Sequence, residues 1–184
     1  VRMKKDLQEQ VLMIESSKIN DAVMEEIIPF IQEGVSEKQL AKKLDELFFN
    51  HHSTCYGAIV AFGKNAADPH HENDDTLLRK GNCVLIDMGC VYKGYCSDMT
   101  RTVVMGKADE KQKAIYNIVL EAQANAIKKL GPGITGAAGD SYARDIIADA
   151  GYGEYFGHGL GHSVGLYIHE QPRLSKTEDM VLQP

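Results

Sequence analysis

The chain has 184 residues, of which 43% are apolar and 25% charged, which excludes a disordered or collagen-like polypeptide. Twenty Lys and Arg against 26 Asp and Glu give a net charge of −6, the wrong sign for a generic nucleic-acid or membrane-surface binder. No apolar run reaches the roughly 18–20 residues of a membrane span and no signal peptide opens the chain, so a soluble, cytoplasmic protein is expected.

Taken in order, Leu7, Val11, Ile14, Ala22, Ile27 and Phe30 recur at helical spacing over residues 5–33, with Pro29 shortening the helix and Gly34 stopping it. Ser36-Glu37-Lys38-Gln39 is a capping box, followed by the apolar stripe Leu40, Leu44, Leu47 and Phe48 of a second helix. Strands are predicted over 57–62, 84–86 and 99–104. A helix over 109–130 carries Ile115, Ile118, Val119, Ala122, Ala126 and Ile127 on one side and stops at Gly131-Pro132, and a shorter helix spans 140–150. From Gly157 to His169 the glycine-punctuated chain reads as loop and strand. Cys55, Cys83, Cys90 and Cys96 form no CxxC pair and read as buried free thiols.

An internal repeat is visible: Gly34-Val35-Ser36 joins the first two helices, and Gly133-Ile134-Thr135 joins the second pair 99 positions later. The order fits a duplicated unit of a helix pair plus strands, with the second copy unfinished.

Asp87 follows three apolar β-formers and Asp98 precedes Met-Thr-Arg-Thr, with a reversal expected near Tyr92-Lys93-Gly94. A turn centred between Tyr92 and Lys93 sets the aspartates opposite each other. One centred between Lys93 and Gly94 makes them diagonal neighbours on one face, and an odd-length turn separates them. Two such carboxylates need a shared proton or a divalent metal between them. The histidines of Gly157-His158-Gly159-Leu160-Gly161-His162 and His169 are further candidates, and the interleaved glycines exclude a helical zinc motif while permitting tight backbone near a ligand.

The runs Ile86-Asp87-Met88-Gly89, Ser97-Asp98-Met99-Thr100-Arg101-Thr102, Gly157-His158-Gly159-Leu160-Gly161-His162-Ser163-Val164-Gly165-Leu166 and His169-Glu170-Gln171-Pro172 resemble the catalytic domain of Xaa-Pro peptidases, aminopeptidase P and prolidase. The resemblance implies an α+β pita-bread fold with a pseudo-twofold repeat, the whole of 1–184 forming one partial catalytic domain. It implies two divalent ions, manganese first and cobalt, zinc or iron otherwise, held by Asp87, by a bridging Asp98 and by His162. The choice of His162 over His158 follows the family's spacing of seven residues between the metal histidine and that of the His-Glu pair, here His169. His158 then lines the pocket, His169 steadies the oxyanion and His70 lies near the leaving proline nitrogen.

The implied substrate is a peptide with proline at its second position, and a homo-oligomer is expected. The family's N-terminal partner domain and its two metal-binding glutamates have no counterpart in 1–184, so a truncated chain that holds metal poorly, turns over no peptide and associates through an open sheet edge is expected. Rival readings are a methionine aminopeptidase-like enzyme and a catalytically inactive pita-bread binding module.

Overall fold

A computed structural model describes residues 2–184. The chain divides into two compact units, one formed by Lys5–Ala108 with Val164–Ile168, the other including Asp109–Ser163 and His169–Pro184.

In the first unit, helix α1 (Leu7–Ile27) starts at an Asp6 capping box closed by Glu9. Pro29 sits in a single 3₁₀ turn, Ile28–Phe30, where its missing N–H costs nothing. The buried face of α1 is Ser16, Asn20, Val23 and Ile27. Leu7, Val11 and Ile14 lie on the opposite face and are exposed, Leu7 to 79%. The apolar stripe is therefore not the packing face over the first half of the helix. Ser16 and Asn20 are buried there instead, because Ser16 Oγ donates to the Cys90 carbonyl and to Ser97 Oγ, and Asn20 Oδ1 accepts from Ser97 Oγ.

Helix α2 (Glu37–Asn50) is capped by Ser36 and buries Leu40, Leu44, Leu47 and Phe48, as its stripe predicts. Strands β1 (Thr54–Cys55), β2 (Ile59–Phe62), β3 (Cys83–Met88), β4 (Cys90–Tyr92), β5 (Tyr95–Cys96) and β6 (Met99–Val104) follow. They form two antiparallel sheets, β2-β3-β6 and β1-β4-β5. Val60, Phe62, Val84, Ile86 and Met88 pack with the leucines of α2 in one core. All four cysteines are free, but only Cys90 and Cys96 are buried.

In the second unit, α3 (Glu110–Lys129) is capped by Asp109, and α4 (Gly136–Asp149) by Thr135. Helix α4 begins four residues before the predicted start. Gly136 and Gly139 lower helix propensity, yet a Cβ on Gly136 would lie 2.3 Å from the Arg173 carbonyl and one on Gly139 2.9 Å from Leu130 and Leu174. Close packing, which propensity does not register, selects glycine here. The expected apolar side of α3 splits: Ala122 and Ala126 are buried, Val119 and Ile127 exposed. Strands β7 (Gly161–Ser163) and β8 (Glu170–Leu174) pair antiparallel.

The repeat is built into the backbone. The Gly34 N–H donates to the Leu78 carbonyl at 2.9 Å and the Leu78 N–H to Val35 at 2.8 Å. In the other unit Gly133 donates to Leu182 at 2.9 Å and Leu182 to Ile134 at 2.8 Å. Gly34 and Gly133 share a left-handed φ of +90° and +93°, which only glycine adopts cheaply. Among the described residues, no helix is long and apolar enough to cross a membrane.

Candidate active site

The two aspartates lie in the first unit, and their relation is set by a two-residue turn. Tyr92 pairs with Tyr95 across Lys93-Gly94, both of which have positive φ, the geometry that matches the twist of a hairpin. The same register continues outward, so Asp87 on β3 faces Thr100 on β6 and Asp98 stands two positions before Thr100. Of the three registers open to the sequence, this is the one centred between Lys93 and Gly94. Thr100 Oγ1 donates to Asp87 Oδ1 at 2.7 Å. Asp87 is half-buried and Asp98 exposed.

Tyr56 reports on both carboxylates. Burial, then the charges of Asp98 and Asp87, push its hydroxyl well above the ordinary phenol range. That hydroxyl donates to the Ser97 carbonyl at 2.5 Å, beside Asp98. Ser97 is fixed from its other side: Ser16 Oγ donates to Ser97 Oγ at 2.9 Å, and Ser97 Oγ to Asn20 Oδ1 at 3.1 Å. Gly89 makes room for this arrangement, since a Cβ there would lie 1.7 Å from Tyr56 Oη and 2.1 Å from the Ser97 carbonyl. Sequence reasoning missed Tyr56, Ser16 and Asn20, for which no local pattern gives a signal, and gave Ser97 only as part of the run around Asp98.

The histidines His158, His162 and His169 lie in the second unit. His162, on β7, packs edge-on against His169 with ring centroids 4.4 Å apart. His158 is exposed and packs instead against the Phe156 ring, 5.0 Å away. His162 Nδ1 lies 3.1 Å from the Ser163 carbonyl and His158 Nδ1 2.8 Å from that of Gly159. A carbonyl has no proton to give, so Nδ1 carries the hydrogen in each ring and Nε2 holds the lone pair of the neutral form. A lone pair on the nitrogen remote from the backbone is what a metal-ligating imidazole needs. Carboxylate oxygen and imidazole nitrogen are each donor types that manganese, iron, cobalt and zinc accept.

His70 is exposed, in the first unit, at the turn after Pro69, and its N–H donates to Asp68 Oδ1 at 2.9 Å. Beside it lies a cluster that sequence reasoning did not single out. Glu37, His71 and Asp74 bring ligand-type atoms within 4.8 Å of one another. Glu37 is fully buried, and both of its oxygens are taken. Oε1 accepts from the Phe62 N–H at 2.8 Å and Asn65 Nδ2 at 2.9 Å, and Oε2 from His71 Nε2 at 2.6 Å and the Asp74 N–H at 3.1 Å. Hydrogen bonds from the Thr76 hydroxyl and N–H hold Asp74 below the usual carboxylate range. With its lone pairs so engaged, Glu37 fastens the 62–76 loop to the start of α2. The signal for it was its place inside the capping box, which explains an acidic first turn without asking where the side chain goes.

Comparison with known proteins agrees with the motifs. The sequence model of metallopeptidase family M24 matches residues 11–184. The chain is 42% identical over 185 residues to the Xaa-Pro dipeptidase of Pyrococcus horikoshii, covering 100% of this chain and 53% of that protein. The structure of an Xaa-Pro dipeptidase from Bacillus anthracis superposes with a TM-score of 0.97 at 42% identity, covering 100% of this chain and 52% of that one. That of an X-Pro aminopeptidase from Thermotoga maritima gives 0.96 at 37% identity, covering 99% and 52%. The expected α+β pita-bread fold is thus the fold of these neighbours, and the chain spans about half the length of the relatives it matches.

Proposed function

Because the chain belongs to metallopeptidase family M24, we propose that the protein carrying it hydrolyses the peptide bond before proline, as its relatives named Xaa-Pro dipeptidase do. Asp87, Asp98 and His162 would hold two divalent ions, with manganese the first choice. The observation that carries the reading is the hairpin register, which sets Asp98 two positions from the partner of Asp87. The Nδ1–H of His162 supports it by leaving the lone pair on Nε2.

When bound, such ions supply Lewis acidity and lower the pKa of a water. The remaining work falls to the chain's own side chains. His169 donates a hydrogen bond to the substrate carbonyl oxygen as negative charge develops there, a group worth most where water is excluded. His70 binds near the proline nitrogen and His158 lines the substrate pocket. The protein is cytoplasmic and self-associates. The exposed stripe Leu7, Val11 and Ile14 supports self-association by leaving apolar surface to cover.

The test is an assay of the protein carrying this chain, supplied with Mn²⁺, Co²⁺ or Zn²⁺, on Ala-Pro, on a longer Ala-Pro peptide and on a Met-Ala peptide. Cleavage before proline is expected, abolished by chelator and restored by metal. Relative rates on the two Ala-Pro substrates separate dipeptidase from aminopeptidase. Turnover of the Met-Ala peptide alone would replace this reading with the methionine aminopeptidase one, and metal binding without any hydrolysis would make the protein a binding module.

A further inference from the structure

The segment from Phe156 to His162 carries glycine at 157, 159 and 161, and only its last two residues belong to a strand. Such a run is entropically costly to hold in one conformation. A single ion pair on α4 holds it. Arg144 Nε and Nη2 donate to Asp140 Oδ2 and Oδ1 at 2.6 and 2.9 Å. The same guanidinium donates through Nη1 to the Phe156 carbonyl at 2.7 Å and through Nη2 to the His158 carbonyl at 2.6 Å. Asp140 Oδ1 in turn accepts from the Leu160 N–H at 2.8 Å. The guanidinium also lies over the Phe156 ring, 4.2 Å from its centroid.

Residues 156, 158 and 160 are thus each anchored to one pair, and the glycines between them need no anchor. The side chains of Asp140 and Arg144 are 2% and 11% exposed, so these charge-assisted bonds are little screened by solvent. Arg144 serves a carboxylate and two carbonyls at once, which a planar fork of donors allows and an ammonium does not. On the other side of the segment a Cβ at Gly159 would lie 2.7 Å from the Leu174 carbonyl, so the backbone is pressed close to β8 as well.

We propose that Asp140 and Arg144 are positioning residues that template the 156–160 backbone and thereby aim His158 and lead the chain into His162. The proposal rests on the reading above for what those histidines do, but not for the fixing of the loop itself. A pair that served stability alone could be exchanged for apolar residues of similar size with the loop unchanged. A template could not.

The experiment is NMR of the 184-residue chain, comparing wild type with Arg144→Lys and with the apolar double variant Asp140→Leu/Arg144→Met. The readouts are hydrogen exchange of the Leu160 amide and the ring ¹⁵N signals of His158 and His162. In either variant that unfolds cooperatively, the Leu160 amide should exchange at least about tenfold faster. The His158 ring signals should move, while amides of α2 such as Leu44 keep their wild-type exchange.

In the protein carrying this chain, Arg144→Lys should lower kcat on Ala-Pro by about tenfold or more with a smaller change in KM. A folded variant with wild-type Leu160 exchange and unmoved histidine signals would overturn the proposal. Should the wild-type protein fail to cleave Ala-Pro, the peptidase reading falls and the Leu160 and histidine signals still decide the positioning role.

Discussion

Thr100 Oγ1 donates a hydrogen bond to Asp87 Oδ1 at 2.7 Å across the β3–β6 pair, so the residue facing the buried end of the aspartate pair in register is also the one that orients it. A carboxylate accepting a hydrogen bond from its strand neighbour is held in one rotamer, which is the usual service of the groups behind a metal ligand. Thr100→Val keeps the β-branched shape and deletes the donor. In the protein carrying this chain it should weaken Mn²⁺ binding by about tenfold, and Thr100→Ser should restore most of the loss. Calorimetric titration of the three proteins with Mn²⁺ checks this. Equal affinity in all three would remove Thr100 from the site.

Gly89 lies where a side chain has no room. The Gly89→Ala methyl would meet Tyr56 Oη at 1.7 Å and the Ser97 carbonyl at 2.1 Å, and should cost about 3 kcal/mol or more. Tyr56→Phe should not rescue it, because the backbone carbonyl remains. Gly131→Ala, where an added Cβ meets nothing within 4 Å, is the control and should stay within about 1 kcal/mol of wild type. Urea unfolding of the four chains gives the comparison.

Glu37 separates a loop fastener from a metal ligand. Glu37→Gln would turn an amide N–H₂ toward donors that now bond a carboxylate, and should destabilise the chain by about 2–4 kcal/mol. Addition of EDTA should shift the thermal midpoints of wild type and Glu37→Gln by the same amount. A chelator-sensitive midpoint lost in Glu37→Gln would instead make Glu37, His71 and Asp74 a metal site.

Burial pushes the Cys55 thiol up from its ordinary 9.0 to about 11. Iodoacetamide at pH 8 should therefore modify Cys55 in the native chain roughly 100-fold more slowly than in urea, with the difference closing as pH rises toward the folded value. The folded pKa exceeds the unfolded one, so this group's contribution to stability is complete below pH 9 and is lost between 9 and about 11. Peptide mapping by mass spectrometry reads the first effect and alkaline unfolding the second. Equal modification rates in native and unfolded chains would show the thiol to be open to solvent.

Where a rule of local chemistry acts alone, the sequence was legible. The Ser36 capping box, the α2 stripe and the span of β6 all stand as expected, because each is decided within a few residues. The start of α4 was not legible, since Gly136 and Gly139 answer to β8 and to Leu130, which lie elsewhere in the chain. Nor was the packing face of α1, which is chosen by Ser97 through Ser16 and Asn20 against the apolar pattern. The aspartate pair fell between these cases: the residues were visible, but their register depended on Lys93 and Gly94 both adopting positive φ. Of these, only Lys93 departs from ordinary residue preference, and so one residue's backbone decided what the spacing left open.

The duplicated hydrogen bonds of Gly34 with Leu78 and Gly133 with Leu182 join main chain to main chain, and so make no demand on side-chain identity beyond glycine at the turn. Selection could therefore rewrite each half freely without unmaking its frame. At the position after each helix cap the first half keeps Glu37 as an internal fastener, while the second has Gly136, whose place is filled by the approach of Arg173 and Glu178. By the same licence Asp87 and Asp98 stand in one half, and His158, His162 and His169 in the other. A frame written in the backbone leaves the side chains of its two halves free to differ.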